Sequence, residues 1–285
     1  MEYDVITDLI FYKRITGITE SELASRLNVS RSTLNRWITG ESEVSYTNVN
    51  KIYELIYHDG IELNKIKSML YFEDLSRDSN LVLFHGSKSG IEGEIDLMHT
   101  KKTNDFGHGF YCAQSFEQAS MFASNFENAS IYIVQFDTKD YKSMKFDTDL
   151  DWMLTIAYYR GRLKEYENTK KIKELIERVN SVDYVIAPIA DNKMFAIIDS
   201  FVEGLMTDVQ CQSTLSLTNI GYQYVLISKK AIDGLKLVTR CYLTKDEKAK
   251  YLSSREESIK SSSAKVKEAI RKHAKSGKYI EDILK

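Results

Sequence analysis

The sequence has few cysteines, no long apolar run and almost no net charge. Its three cysteines, Cys112, Cys211 and Cys241, are scattered and odd in number, which argues against a disulfide framework or a zinc site of ordinary spacing. There is no run of 18 apolar residues and no basic-then-apolar start, so we expect a cytoplasmic protein with no membrane partner. The net charge of -2 excludes a global attraction to nucleic acid, so any such contact must depend on a local patch.

The chain is nonetheless long and apolar enough to be globular. Its 285 residues, 43% of them hydrophobic, suffice for about two domains with real cores. The pattern of apolar and polar residues divides the chain into an all-helical segment at residues 1–75, a mixed segment at 80–244 and a helical, basic tail at 245–285. The tail holds twelve Lys or Arg against seven Asp or Glu. A solvated helix is its simplest interpretation, and contact with nucleic acid or an acidic partner is the alternative.

The clearest helical unit lies between residues 19 and 40. Thr19 has the pattern of a helix cap, Ser30 can cap a second helix after a very short turn, and Gly40 ends it. Two short helices joined so tightly predict a helix-turn-helix. Residues 5–60 resemble the Cro/repressor-like family, with the recognition segment at 30–40.

The predicted recognition helix exposes side chains of the types that contact phosphates and base edges. However, residues 1–60 hold six Lys or Arg against nine Asp or Glu, which is unfavourable for binding a polyanion. Dimerisation or docking of a partner through the same helices therefore stays open beside DNA binding. The candidate nucleic-acid contacts are Arg31, Ser32, Thr33, Asn35 and Arg36.

The segment after residue 80 alternates apolar runs with helical patterns. Residues 81–84, 131–136, 184–187 and 222–227 are short and apolar, as is typical of buried strands. Helical patterns occupy 116–126, 150–179 and 194–205. Several strands are too close in sequence to be joined only by crossover helices, so the predicted class is α+β with a mixed sheet.

Two short motifs carry the chemistry of this segment. Residues 84–87 read Phe-His-Gly-Ser at the end of the first strand, and residues 106–113 read Phe-Gly-His-Gly-Phe-Tyr-Cys-Ala. We expect Gly86 to let the backbone approach a planar ligand, because glycine has no Cβ. Gly107 and Gly109 suggest the same, with the aromatic pair Phe110 and Tyr111 beside the opening. Together the motifs predict a clamp for a nicotinamide dinucleotide.

In these motifs the chain resembles the diphtheria-toxin-like and poly(ADP-ribose)-polymerase-like ADP-ribosyltransferases. The resemblance implies NAD as a substrate and no metal. By it, His85 contacts the adenine-side ribose, Gly86 and Ser87 hold the carboxamide, and the nicotinamide ring stacks on Tyr111 and Phe122. The expected NAD-binding set is His85, Gly86, Ser87, Gly109, Phe110, Tyr111 and Phe122.

The third motif of these transferases, usually a glutamate at the start of a late strand, corresponds here to Gln223. A carboxylate can stabilise positive charge at the ribose and accept a hydrogen bond, whereas an amide supplies only the hydrogen bond. Residues 105–111, 182–192 and 223–224 resemble a bacterial branch in which glutamine is normal at this position, and the likeness spans about 81–235. The implied catalytic set is His85, Tyr111 and Gln223, with single ADP-ribose transfer.

Such a domain beside a helix-turn-helix leads us to expect a bacterial toxin or defence effector that modifies a protein, RNA or DNA. The helix-turn-helix would bind DNA, an antitoxin or another regulatory partner. Two alternatives remain at this stage. One is a transcription regulator whose transferase-like domain senses NAD or ADP-ribose, and the other is an NAD glycohydrolase.

Overall fold

The computed structural model describes residues 1–217, 221–273 and 276–285, with the backbone alone for His99, 258–267 and 269–270. It confirms the α+β class, with a helical N-terminal unit followed by a mixed seven-stranded sheet. In the described residues, no helix combines the length and apolar character needed to cross a membrane.

Five helices form the N-terminal unit and include the predicted helix-turn-helix. Thr19 accepts a hydrogen bond from the Glu22 amide, and Ser30 accepts one from the Thr33 amide, so both predicted caps are present. Leu23, Leu34 and Trp37 lie in the core. The helices are α1 (Val5–Thr16), α2 (Glu20–Arg26), α3 (Arg31–Ile38), α4 (Tyr46–His58) and α5 (Leu63–Leu75).

The sheet has the order β4-β5-β6-β2-β1-β3-β7, and all neighbours are antiparallel except β4 and β5. The four predicted strands are present, and three more join them. The strands are β1 (Asn80–Ser87), β2 (Phe110–Ala113), β3 (Ser130–Asp137), β4 (Ser143–Lys145), β5 (Tyr184–Pro188), β6 (Tyr222–Leu226) and β7 (Leu235–Tyr242).

The centre of the sheet is weakly joined. β1 pairs with β3 along its whole length, yet its pairing with β2 is confined to Phe84 and Ala113. On the other side, β2 pairs with β6 along all four of its residues. The sheet therefore consists of two well-paired halves that part beyond Phe84, at the residues of the first motif.

In the part of the chain that the structure describes, eight α-helices accompany the sheet, and two of them follow residue 244. Tyr251 packs against the core beside α6, and Ile280 and Leu284 are buried in the core around Trp152, so the C-terminal segment is part of this unit. The helices are α6 (Phe116–Ala123), α7 (Leu150–Tyr159), α8 (Lys170–Asn180), α9 (Asn192–Val202), α10 (Asp208–Ser216), α11 (Lys229–Asp233), α12 (Lys245–Lys272) and α13 (Ile280–Leu284).

The N-terminal helices pack against β7, the last strand of the sheet. The rings of Tyr53 and Tyr242 stack with centroids 4.7 Å apart. Asn64 Nδ2 donates to the Tyr242 carbonyl at 2.7 Å, and the Tyr242 hydroxyl donates to Asn50 at 2.5 Å. Lys67 forms a buried ion pair with Asp8 next to this contact, at 2.9 Å. The two units thus share a packed interface.

Candidate active site

His85 bridges the gap where β1 and β2 part. Its Nδ1 lies 2.8 Å from the Tyr111 carbonyl oxygen, and its ring stacks on Phe110 with centroids 4.0 Å apart. Because a carbonyl only accepts hydrogen bonds, Nδ1 carries the proton and Nε2 is an acceptor. Burial lowers the pKa of His85 to about 4, against a partial opposing effect of the Tyr111 carbonyl. His85 is therefore neutral near pH 7, with Nε2 able to accept a hydroxyl hydrogen.

Tyr111 uses its hydroxyl to hold the preceding loop. The hydroxyl donates to the Gly107 carbonyl at 2.9 Å and accepts from the Phe106 amide at 3.0 Å. Burial, followed by the nearby carboxylate of Asp105, raises the pKa of the phenol. Tyr111 is thus a neutral side chain whose hydroxyl is engaged within the protein.

Gly86 is tightly packed on its Cα side. A Cβ at this position would lie 2.8 Å from the Ala119 carbonyl oxygen of α6 and 3.3 Å from the Phe122 ring. The missing side chain therefore makes room for α6. Phe122, on the same helix, is 54% exposed and offers an open ring beside Gly86.

The other expected NAD contacts are largely engaged within the protein. The Ser87 hydroxyl is buried and accepts from the Gly90 amide at 3.0 Å. The Gly109 amide donates to Thr100 at 3.1 Å, and a Cβ there would lie 2.7 Å from Val225. Phe110 is buried beneath the His85 ring. The contacts of these three residues are thus made within the protein.

Gln223 lies in β6 between two alanines, Ala113 of β2 and Ala187 of β5. It is buried, and its Nε2 donates to Asp105 Oδ2 at 2.9 Å and to the Pro188 carbonyl at 3.2 Å. Both amide hydrogens are therefore used. β2 joins Gln223 to Tyr111, and the Tyr111 carbonyl joins β2 to His85, so the three predicted catalytic residues belong to one connected group.

The sequence reasoning did not single out Asp105 or Arg160. Arg160 donates to Asp105 Oδ1 from Nε at 2.9 Å and from Nη2 at 2.5 Å, and also to the Ala190 carbonyl at 2.7 Å. Asp105 is 6% exposed. Its position directly before the glycine motif was the one available signal. Arg160 ends α7, 55 residues away, and no local pattern marks it.

Two pockets of about 500 and 440 Å3 are lined by residues outside the candidate site. The candidate site is defined instead by the point where β1 and β2 part. Within the described part of the chain, no three His, Cys, Asp or Glu side chains gather as a metal site would require.

The predicted recognition helix presents its polar face to solvent. Arg31, Ser32, Asn35 and Arg36 of α3 are exposed, and in the described part of the chain neither arginine forms an ion pair. Thr33 is half-buried, and its hydroxyl lies 2.8 Å from that of Ser30 in the helix cap. Four of the five side chains are therefore available to a partner.

Family comparison agrees with this division of the chain. Residues 14–55 match a family described as helix-turn-helix, which covers α2 and α3. Residues 81–237 match a family described as "Protein of unknown function (DUF3990)", and this range includes His85, Tyr111 and Gln223. No curated protein and no solved structure matches the chain. Since the second match covers more than half of the sequence, the chain belongs to the DUF3990 family and carries a helix-turn-helix ahead of that family's domain.

Proposed function

We propose that this protein is an NAD-dependent mono-ADP-ribosyltransferase that modifies a macromolecule. The observation that carries the proposal is the parting of β1 and β2 after Phe84 and Ala113, with His85 across the gap. The elements around this point carry three groups that NAD could use: a neutral imidazole acceptor at His85, an exposed aromatic ring at Phe122 and an amide at Gln223. The likeness of the two motifs to known transferases supports the same function.

In the proposed reaction, the bond between the ribose C1′ and the nicotinamide nitrogen breaks, and its electron pair leaves with nicotinamide. A nucleophile of the target then bonds to C1′ and releases its proton to solvent. His85 Nε2 would accept a hydrogen bond from the adenine-side ribose, and Gln223 would orient the hydroxyls of the other ribose. Holding the reactants in register can supply roughly 7–11 kcal/mol of the barrier.

The proposal is tested by incubating the full chain with labelled NAD and a bacterial extract. We expect nicotinamide release together with label on protein or nucleic acid, and mass spectrometry identifies the acceptor. Phe122→Ala should raise KM for NAD, since it removes an exposed stacking ring at little cost in stability. Phe126→Ala is the matched control, because it removes the neighbouring ring, which packs against the core. This variant should leave KM for NAD unchanged.

The same assay separates the competing functions. Nicotinamide release without a labelled macromolecule would indicate a glycohydrolase, and NAD binding without turnover would indicate a sensor domain of a regulator. A toxin or defence effector should arrest bacterial growth on expression, and Gln223→Ala should relieve the arrest. The proposal would be refuted if the protein showed no turnover of NAD and no binding of NAD.

We further propose that α3 contacts DNA, since its polar face is exposed. Arg31→Ala and Arg36→Ala together should weaken duplex binding. The slope of log K against log salt concentration should fall by about the contribution of two phosphate contacts. Arg14→Ala, on α1, is a control that removes one arginine outside α3. If the double variant binds duplex as the wild type does, α3 is a surface for an antitoxin, a regulatory partner or a second copy.

A further inference from the structure

Asp105 connects the glutamine of the candidate site to an arginine outside it. Its two carboxylate oxygens have different partners, because Oδ2 accepts from Gln223 Nε2 and Oδ1 accepts from Arg160. The carboxylate is buried, and Arg160 is itself fixed by the Ala190 carbonyl and by stacking on Phe195 at 4.3 Å. This arrangement holds Asp105 in one orientation.

The orientation of Asp105 determines that of the Gln223 amide. A carboxylate accepts hydrogen bonds only, so the side of the amide that faces Asp105 must be the NH2 group. The Pro188 carbonyl takes the second amide hydrogen. Among the described residues nothing donates to Gln223 Oε1, and this oxygen is not one of the buried side-chain atoms without a partner. It is therefore not wholly enclosed by the protein.

We propose that Asp105 is a positioning residue for ADP-ribosyl transfer, which fixes Gln223 with Oε1 toward the ribose and places a carboxylate next to an amide that has no charge of its own. The inference rests on the proposed function. Where related transferases use one glutamate as both acceptor and anion, this chain divides the two tasks between Gln223 and Asp105. Arg160 keeps the carboxylate in place.

The geometry gives a specific expectation for Asp105→Asn. If the carbonyl oxygen of the new amide stays on Arg160, its NH2 group faces the NH2 group of Gln223, and the glutamine amide would have to turn over. Oε1 would then leave the position that it holds in the wild type. Losing an oriented acceptor next to a charge should lower kcat roughly 10- to 100-fold, with a smaller change in KM for NAD.

Exchanging the amide and the carboxylate between positions 223 and 105 distinguishes a positioning role from a merely structural one. Gln223→Glu places two carboxylates about 3 Å apart, so they should share a proton, and activity should fall as pH rises. Adding Asp105→Asn to Gln223→Glu restores an amide–carboxylate pair with the positions reversed, because the introduced amide can accept from Arg160 and donate to the introduced carboxylate. Recovery is incomplete, because the Pro188 carbonyl loses its donor. The kcat of the double variant should exceed that of Gln223→Glu roughly tenfold or more, and it should no longer fall as pH rises.

The experiment measures kcat, KM and the pH profile of nicotinamide release for the full chain and these three variants, with thermal unfolding recorded for each. Arg162→Gln is the control, because Arg162 forms exposed ion pairs with Asp199 and Glu203. An active wild type with equally active Asp105→Asn, or a double variant no better than Gln223→Glu, overturns this inference alone. A wild type that turns over no NAD overturns the proposed function, and this inference with it.

Discussion

The protonation of His85 makes the candidate site testable without any substrate. Its pKa is lowered from 6.5 to about 4 because the ring is buried where β1 and β2 part. The folded protein therefore binds fewer protons than the unfolded chain between these two values. By linkage, the stabilisation is present in full above about pH 6.5 and is lost as the pH falls towards 4. A shift of this size corresponds to about 3 kcal/mol of unfolding free energy.

Two measurements check this expectation. Proton NMR should show one imidazole signal that titrates near pH 4 and is missing from His85→Gln. Urea unfolding of wild type and His85→Gln at about pH 4 and about pH 7.5 should show that the variant loses less stability on acidification, by up to about 3 kcal/mol. His108→Gln, a histidine replaced in the neighbouring loop, should keep the wild-type difference.

The reasoning would be refuted by a His85 signal that titrates above pH 6, or by equal acid sensitivity of His85→Gln and the wild type. The first result would mean that the ring is solvated and bears a charge near neutral pH. In that case Nε2 would be a donor, and the proposed contact with a ribose hydroxyl would need a different partner atom.

Substitutions at Gly86, at Tyr111 and in the Lys67–Asp8 ion pair test the packing of the candidate site and of the N-terminal helices. Gly86→Ala should destabilise the protein by about 1–3 kcal/mol in urea unfolding, since the Ala119 carbonyl is backbone and cannot turn away. Lys67→Met should cost about 3–5 kcal/mol, because the buried Asp8 carboxylate loses its counter-charge and keeps only the Tyr53 hydroxyl as a partner, and Asp8→Leu in addition should recover part of that cost. Tyr111→Phe should loosen the loop yet keep NAD affinity within about tenfold, whereas Tyr111→Ala should abolish binding.

The sequence predicted the strands that are continuous apolar runs and missed those that are not. β3 and β6 are fully or alternately buried and were recognisable from composition alone. β2 has four residues directly after a glycine-rich loop, and β7 interrupts its apolar residues with Lys236 and Arg240. β4 has three residues, of which only Met144 is partly buried. Short or half-exposed strands depend on their neighbours for definition, which no local pattern records.

The candidate site shows the same limit. His85, Tyr111 and Gln223 each lie in a short, recognisable sequence motif, so the sequence alone predicts them as one set. Arg160 joins the site only through its contact with Asp105, because folding brings the end of α7 against the glycine loop. The role of Gly86 also required the structure, since the sequence does not show that α6 fills the space beside it.

The contact between the N-terminal helices and β7 also bears on aggregation. A strand at the edge of a sheet exposes unpaired backbone groups that can pair with another molecule. Here Asn64 occupies the Tyr242 carbonyl, and Tyr53 covers the Tyr242 ring. Removing α4 and α5 would thus expose the Tyr242 end of β7. These two helices protect that end of the edge strand from pairing with another molecule.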